Sequence, residues 1–422
     1  MKKLALALVA LVSLAALAIA VAWPREEFVP STSPQAWAAT PENIARGAYL
    51  ARAGDCVACH TARGGAEYAG GRALDTPFGR LYGPNLTPDP DTGIGRWSAD
   101  DFWNALHNGK SRDGRLLYPA FPYPNYTRVA RTDADALFAY LRSLPPRRQP
   151  NKAHELDFPY NQQALLAGWR LLYFRPAGFT PQPARGAEWN RGAYLVEGLG
   201  HCSACHSSRN RLGATGEALS GGLMPTSGWY APSLTAGGEA GVGDWDREHI
   251  VALLGTGVSP RGAATGPMAE VVARSLQHLT RADLGAMATY LKSLPATEAP
   301  VRESGERASE PLLAEGRRLY GAYCVDCHGA DGKGKAPAYP PLAGNRAVSL
   351  SPPVNAIRMV LNGGFPPGTA GNPRPYGMPP FSHELNDAQV AAVLTYVRAS
   401  WGNAAPPVAV PDVNRYRSVP LD

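Results

Sequence analysis

The sequence predicts an all-α protein of three tandem helical modules behind an apolar N-terminal helix, and three observations carry that prediction. First, 422 residues exceed one ordinary core and suit about three modules of roughly 100 residues each. Second, all six cysteines fall in one motif that occurs three times: Cys56-Val57-Ala58-Cys59-His60, Cys202-Ser203-Ala204-Cys205-His206 and Cys324-Val325-Asp326-Cys327-His328. Third, the same pair of helical patterns flanks every copy of the motif. Glycine (45) and proline (40) are abundant and charged residues are only 18%, which fits small loop-rich modules wrapped around something other than a large apolar core.

The elements follow in chain order. Two lysines and an apolar run from Leu4 to Trp23 predict export, so residues 1–24 are a cleaved signal peptide, with Ala18-Ile19-Ala20 as its site, or an uncleaved anchor. The run is long enough to span a bilayer, which favours the anchor. Either way the body is expected on the periplasmic side of the inner membrane. Arg46-Gly47-Ala48-Tyr49-Leu50, Arg191-Gly192-Ala193-Tyr194-Leu195 and Glu315-Gly316-Arg317-Arg318-Leu319-Tyr320 each read as a helix running into a cysteine motif. Closing helices show apolar faces at i, i+3, i+4 and i+7: Leu137, Tyr140, Leu141, Leu144; Met287, Tyr290, Leu291, Leu294; and Val393, Tyr396, Val397 with Trp401 beyond. Their capping signals are Thr132-x-x-Asp135, Thr280-x-x-Asp283 and Asn386-x-x-Gln389, and Pro145 and Pro295 stop the first two. The modules are therefore 40–147, 185–296 and 311–403. Between them lie a linker, 148–184, with an amphipathic helix from Asn161 to Phe174 whose apolar side is Leu165, Leu166, Trp169, Leu172 and Tyr173, and a polar linker, 297–310, that leaves the third module the most mobile. The proline-rich tail, 404–422, reads as an extended strap or disorder.

The chemistry lies in the motif. Two thiols separated by two residues add to the two vinyl groups of one haem, and the next histidine sits under the iron. A thioredoxin-like pair needs a βαβ setting, and a zinc site needs further ligands at finger spacing. Three copies that leave no thiol over predict three covalently bound haems c, held by Cys56, Cys59 and His60; Cys202, Cys205 and His206; and Cys324, Cys327 and His328. Pro84, Pro232 and Pro341, in proline-leucine loops, are expected to offer carbonyls to the three histidines. Met268 and Met378, placed 66 and 54 residues after the first cysteine of their modules, are the expected sixth ligands. The first module has no methionine in that span. Matching Gly114 to Gly262 sets Met268 opposite Ala120, beside Phe121, so that iron takes His107, His154, a partner's residue or nothing. The formal charge of +6 is scattered and no nucleic-acid module is present, which excludes nucleic acid as a partner.

A helix before the motif and a helix closing the module is the plan of a class I cytochrome c domain. Tyr118-Pro119-Ala120-Phe121-Pro122-Tyr123, the run from Glu188 through Gly200-His201-Cys202, and Val397-Arg398-Ala399-Ser400-Trp401-Gly402-Asn403 resemble the triple-haem cytochrome c subunit of membrane-bound dehydrogenases. The resemblance covers about Thr40 to Asn403. It implies an electron-transfer subunit with no catalysis of its own, which takes electrons from a quinoprotein, flavoprotein or molybdenum hydroxylase partner and delivers them to ubiquinone or a terminal oxidase. The alcohol-dehydrogenase type carries methionine where this chain has Phe121, and phenylalanine there resembles the molybdenum-hydroxylase-associated branch. The rival reading is a haem enzyme that uses an open first haem.

Overall fold

The computed structural model describes residues 37–224, 226–235, 239, 241–296 and 308–419, with 2–3, 6, 9–10, 13–14, 17 and 30. Most of the predicted anchor and most of the second linker thus lie outside the described residues. Among the described residues no helix is long and apolar enough to cross a membrane. The chain divides into two compact units, one of residues 1–51, 56–180 and 197–201, the other of 52–55, 181–196 and 202–422. Modules two and three therefore share one unit.

The first unit is closed by crossing helices. Helix α1 (Pro41–Ala53) meets the closing helix so tightly that a Cβ on Gly47 would lie 1.9 Å from the Ala136 carbonyl oxygen. Arg46 Nε donates to Asp133 Oδ1 at 2.8 Å and locks the crossing. A hairpin follows, β1 (Ala73–Thr76) with β2 (Gly79–Tyr82), widened by β3 (Glu155–Leu156). Helix α2 (Ala99–Asn108) starts in a Ser98–Asp101 capping box and stops at Gly109, whose left-handed backbone (φ 60°) suits glycine. The closing helix α3 (Arg131–Ser143) is capped by Ala130, not by Thr132 as the sequence suggested. Asp135 serves a different purpose, since it accepts from buried Arg131 at 2.9 Å.

Helix α4 (Gln163–Tyr173) forms where expected, but of its expected apolar side Leu166 alone is buried. Leu166 and Ala167 pack against Leu116 and Tyr118, while Leu165, Leu172 and Tyr173 are exposed. Arg170 decides the orientation. Its guanidinium donates to the Asn108 carbonyl at 2.6 Å, where α2 runs out of partners, and lies over the Tyr123 and Phe174 rings at 5.1 and 4.8 Å.

The second unit repeats the crossing twice. Helix α5 (Gly186–Tyr194) meets α8 (Arg281–Lys292) at Gly192, whose Cβ would lie 2.0 Å from the Ala286 oxygen. Arg191 pairs with Asp283 at 2.8 Å, and Thr280 caps α8 as expected. Between them come the hairpin β4 (Gly222–Met224) and β5 (Trp229–Ala231), helix α6 (Arg247–Thr256), the short hairpin β6 (Val258–Ser259) and β7 (Gly262–Ala263), and helix α7 (Pro267–Arg274). In the third module α9 (Glu310–Tyr323) meets α11 (Asp387–Ala399) at Gly316, whose Cβ would lie 2.3 Å from the Ala392 oxygen, and Asn386 with Gln389 forms the expected capping box. Helix α10 (Val354–Asn362) lies between them.

Three expectations are corrected. The protein is mainly helical but also holds seven short strands in three antiparallel sheets among the described residues, because the loops after the cysteine motifs satisfy their own backbone by pairing. The tail is no strap, since α12 (Val410–Arg417) buries Val413 and Tyr416 in the third module's core. The third module also packs against the second, where Asn355 exchanges two hydrogen bonds with the Tyr230 backbone, at 2.9 and 2.7 Å.

Candidate functional site: three thiol and histidine sites

Each cysteine motif forms a tight helical turn, Cys56–Cys59, Cys202–Ala204 and Val325–His328. The turn brings the histidine amide back to the first cysteine's carbonyl, at 3.1, 2.9 and 3.0 Å. The two thiols and the imidazole of each motif are therefore neighbours by backbone geometry alone.

A carbonyl anchors every imidazole. His60 Nδ1 donates to Pro84 O at 2.8 Å, His206 Nδ1 to Pro232 O at 2.7 Å and His328 Nδ1 to Pro340 O at 3.1 Å. The first two are the expected prolines. In the third loop the acceptor is Pro340 instead of Pro341, because the working pattern is proline, any residue, leucine: Pro84-Asn85-Leu86, Pro232-Ser233-Leu234, Pro340-Pro341-Leu342. Hairpins deliver these prolines, β1–β2 to Pro84 and β4–β5 to Pro232, while a single Lys335–Tyr339 bridge precedes Pro340. At Gly83 the returning strand passes so close to the first motif that a Cβ would lie 1.9 Å from the Cys59 oxygen.

The electrostatics suit metal ligation by the histidines. Burial lowers the pKa of His60, His206 and His328, against the weaker opposing pull of their carbonyl partners. Each ring is thus held neutral with its Nδ1 proton committed and its Nε2 lone pair left for a metal. Burial pushes the Cys202 thiol up to about 12 and the Cys324 thiol up to about 11. That is the opposite of the depressed value a redox-active dithiol needs. Among the described residues no group of three His, Cys, Asp or Glu could hold a metal ion, so the zinc alternative gains no support. The residues fit a covalently attached haem.

The other side of each site differs. Gly109 and Gly257 end equivalent helices, and their carbonyls accept from Leu117 and Ala264, both at 2.8 Å. Four residues beyond each donor stand Phe121 and Met268, so the structure sets Met268 opposite Phe121 itself, correcting the offset to Ala120. Met268 opens α7, just after Gly266, whose Cβ position is filled by the Trp229 ring at 2.7 Å. Met378 pairs its backbone with Gly364 at 2.8 and 3.0 Å and packs on the third module's core. His107 is buried, stacked on Trp103 at 4.4 Å, with its Nδ1 3.5 Å from Thr127 Oγ1. His154 Nδ1 accepts from the Tyr82 amide at 3.2 Å. Both thus have structural work.

Sequence reasoning missed four residues. Asp55 and His201 stand directly before the first and second motifs with positive φ, 48° and 37°. Asp55 Oδ1 is buried without a hydrogen-bond partner, and His201 Nδ1 donates to Leu199 O at 2.8 Å. Their position next to a first cysteine was the available signal. Asn151 and Glu239 accept from the loop amides Asn85 N and Ser233 N, both at 2.8 Å. No local pattern marks them.

A thiol pair on one helical turn, a neutral carbonyl-anchored histidine and a pair of helices crossed at glycine are the marks of a cytochrome c. The cytochrome c family model accordingly matches residues 44–145 and 313–401. The chain is 42% identical over 395 residues to one of the nicotinate dehydrogenase subunits of Pseudomonas putida, covering 92% of this chain and 32% of that protein. It is 40% identical over 397 residues to the cytochrome c subunit of the quinone alcohol dehydrogenase of Gluconacetobacter polyoxogenes, covering 89% and 84%. Against the gluconate 2-dehydrogenase cytochrome c subunit of Pantoea cypripedii it is 40% identical over 380 residues, covering 86% of each. The chain belongs to the cytochrome c subunits of dehydrogenases. It spans about a third of the nicotinate dehydrogenase protein, 32% of its length.

Proposed function

We propose that this chain carries three covalently bound haems c and conducts electrons from a catalytic dehydrogenase subunit to ubiquinone or a terminal oxidase, on the periplasmic side of the inner membrane. The observation that carries the reading is the threefold recurrence of one arrangement, a thiol pair followed by a histidine whose Nδ1 is tied to a proline carbonyl. The haem supplies one-electron chemistry when bound. Cys56 and Cys59, Cys202 and Cys205, and Cys324 and Cys327 attach it. His60, His206 and His328 are the proximal ligands, held in one tautomer by their carbonyls. Met268 and Met378 are the sixth ligands of the second and third sites. At the first site Phe121 offers no lone pair, so that iron is open or weakly ligated.

Phe121 also bears on the partner. It resembles the molybdenum-hydroxylase-associated branch, and nicotinate, named in one relative, is the N-heterocyclic kind of substrate such hydroxylases oxidise. A molybdenum hydroxylase is therefore the preferred partner, ahead of a quinoprotein alcohol dehydrogenase or a flavin sugar-acid dehydrogenase. The same residue favours one second reading, a haem enzyme working at the open first site.

The test is gentle detergent extraction from native membranes, with haem counted by pyridine haemochrome and the copurifying cofactor identified. Three haems per chain with molybdopterin support the proposal. Pyrroloquinoline quinone or flavin would move the partner to the other branches. Peroxidase or sulfur-oxidising activity in a partnerless chain would favour the enzyme reading.

A further inference from the structure

The three histidine anchors are alike on the imidazole side and unlike on the other. In each loop the anchoring carbonyl and the next amide nitrogen belong to one peptide group, so what the nitrogen meets changes the charge on the oxygen. At the first site that nitrogen, Asn85 N, donates to the Asn151 side-chain carbonyl at 2.8 Å. At the second, Ser233 N donates at 2.8 Å to the carboxylate of Glu239, which is 4% exposed. At the third the next residue is Pro341, which has no N–H to give. A hydrogen-bond acceptor on an amide N–H drives electron density onto its carbonyl oxygen, and a buried charge does so more than a neutral amide. The histidine bonds rank in the same order, 2.7 Å with the carboxylate, 2.8 Å with the amide and 3.1 Å with proline.

We propose that Glu239, Asn151 and Pro341 grade the donor strength of the three proximal imidazoles, Glu239 being a positioning residue that makes the second site more reluctant to accept an electron. A stronger Nδ1–H···O bond gives the ring more imidazolate character, which favours the oxidised iron. Tyr230 sets how much of the charge reaches the peptide. Its hydroxyl donates to both Glu239 oxygens, each at 3.1 Å, and so competes with Ser233 N. This inference rests on the haem attachment proposed above.

The experiment is a spectroelectrochemical titration of the full-length, haem-loaded protein, with haem counted in the same samples. Glu239→Gln keeps acceptors for Ser233 N but removes the charge. One of the three components should then shift upward by at least a threefold change in its oxidised-to-reduced ratio, about 28 mV at 59 mV per decade, while the other two stay put. Tyr230→Phe frees the carboxylate for the peptide, and the same component should move downward. Three haems with no component moving in Glu239→Gln overturns the inference alone. Both variants moving the same way overturns it as well, because that is what simple loosening of the site would do. Fewer than three haems in the wild type overturns the haem assignment itself, and this inference with it.

Discussion

Two glycines in one helix should respond to alanine with opposite signs. In α9, a Cβ on Gly316 would lie 2.3 Å from the Ala392 oxygen and 2.6 Å from Tyr396 Cβ, whereas one on Gly321 meets nothing within 4 Å. The nearest obstacle at Gly316 is backbone, which cannot swing aside, so α9 and α11 must part by about 1 Å to restore ordinary contact near 3.5 Å. Overpacking of that kind costs about 1–3 kcal/mol, against roughly 1 kcal/mol gained by replacing a helical glycine. Gly316→Ala should therefore lose up to about 2 kcal/mol and Gly321→Ala gain about 1 kcal/mol. At about 2–4 °C per kcal/mol for a unit of this size, the two melting points should stand about 2–12 °C apart. Thermal unfolding of the haem-loaded variants, followed by far-ultraviolet circular dichroism, reads the difference. Gly316→Ala melting above wild type, level with Gly321→Ala, would refute the claim that glycine is required at the crossing.

Three further outcomes are expected. Burial, with a further push from the nearby Glu270 charge, raises Asp55 from 3.8 to about 8, so its contribution is fully present below about pH 4 and is lost as pH rises through 8. Asp55→Asn should therefore gain on wild type across that window in denaturant titrations, and an offset independent of pH would sink the assignment. Asn386→Ala removes the capping box of α11 and should cost about 1 kcal/mol, whereas Ala130→Ser, at an extended cap (φ −65°, ψ 147°) with no side-chain acceptor, should gain a similar amount. Reduced protein should bind CO at one haem and Phe121→Met should suppress it, so a CO-silent wild type would show that the first iron has two strong ligands.

The readable parts of this protein are the local ones. Cysteine spacing, the helices that enter and close each module and two of the three caps follow from residues within a few positions of each other. The errors arose where a distant group decides. Thr132 has the right chemistry for a cap, but Arg131 claims Asp135 for a buried pair. The apolar stripe of α4 is real in sequence, yet Arg170 is needed at the end of α2, so the helix packs by Leu166, Ala167 and Arg170 and leaves most of the stripe outside. Prolines in the tail suggested a strap, although Pro411 sits in the first turn of α12, where a missing N–H costs nothing. Matching by Gly114 misplaced Phe121 by one residue, because the turn from Gly109 to its donor Leu117 is one residue longer than the turn from Gly257 to its donor Ala264. Glu239 and Asn151 act across loops and leave no periodic trace.

The third module shows which features the common plan can release. Its loop from His328 to Pro340 spans 12 residues, against 24 and 26 in the other two, and one bridge replaces a hairpin. The arginine–aspartate lock of Arg46 with Asp133 and Arg191 with Asp283 gives way to Glu315 and Gln389, which turn to Arg318 and to the cap of α11. What survives is the glycine crossing, the cysteine turn and the carbonyl on the histidine, all set by backbone. These are the features that hold a thiol pair and an imidazole in register. Side chains around them are free to differ, and it is there, at Phe121 against Met268 and Met378, and at Glu239 against Asn151 and Pro341, that one scaffold can give three sites different affinities for an electron.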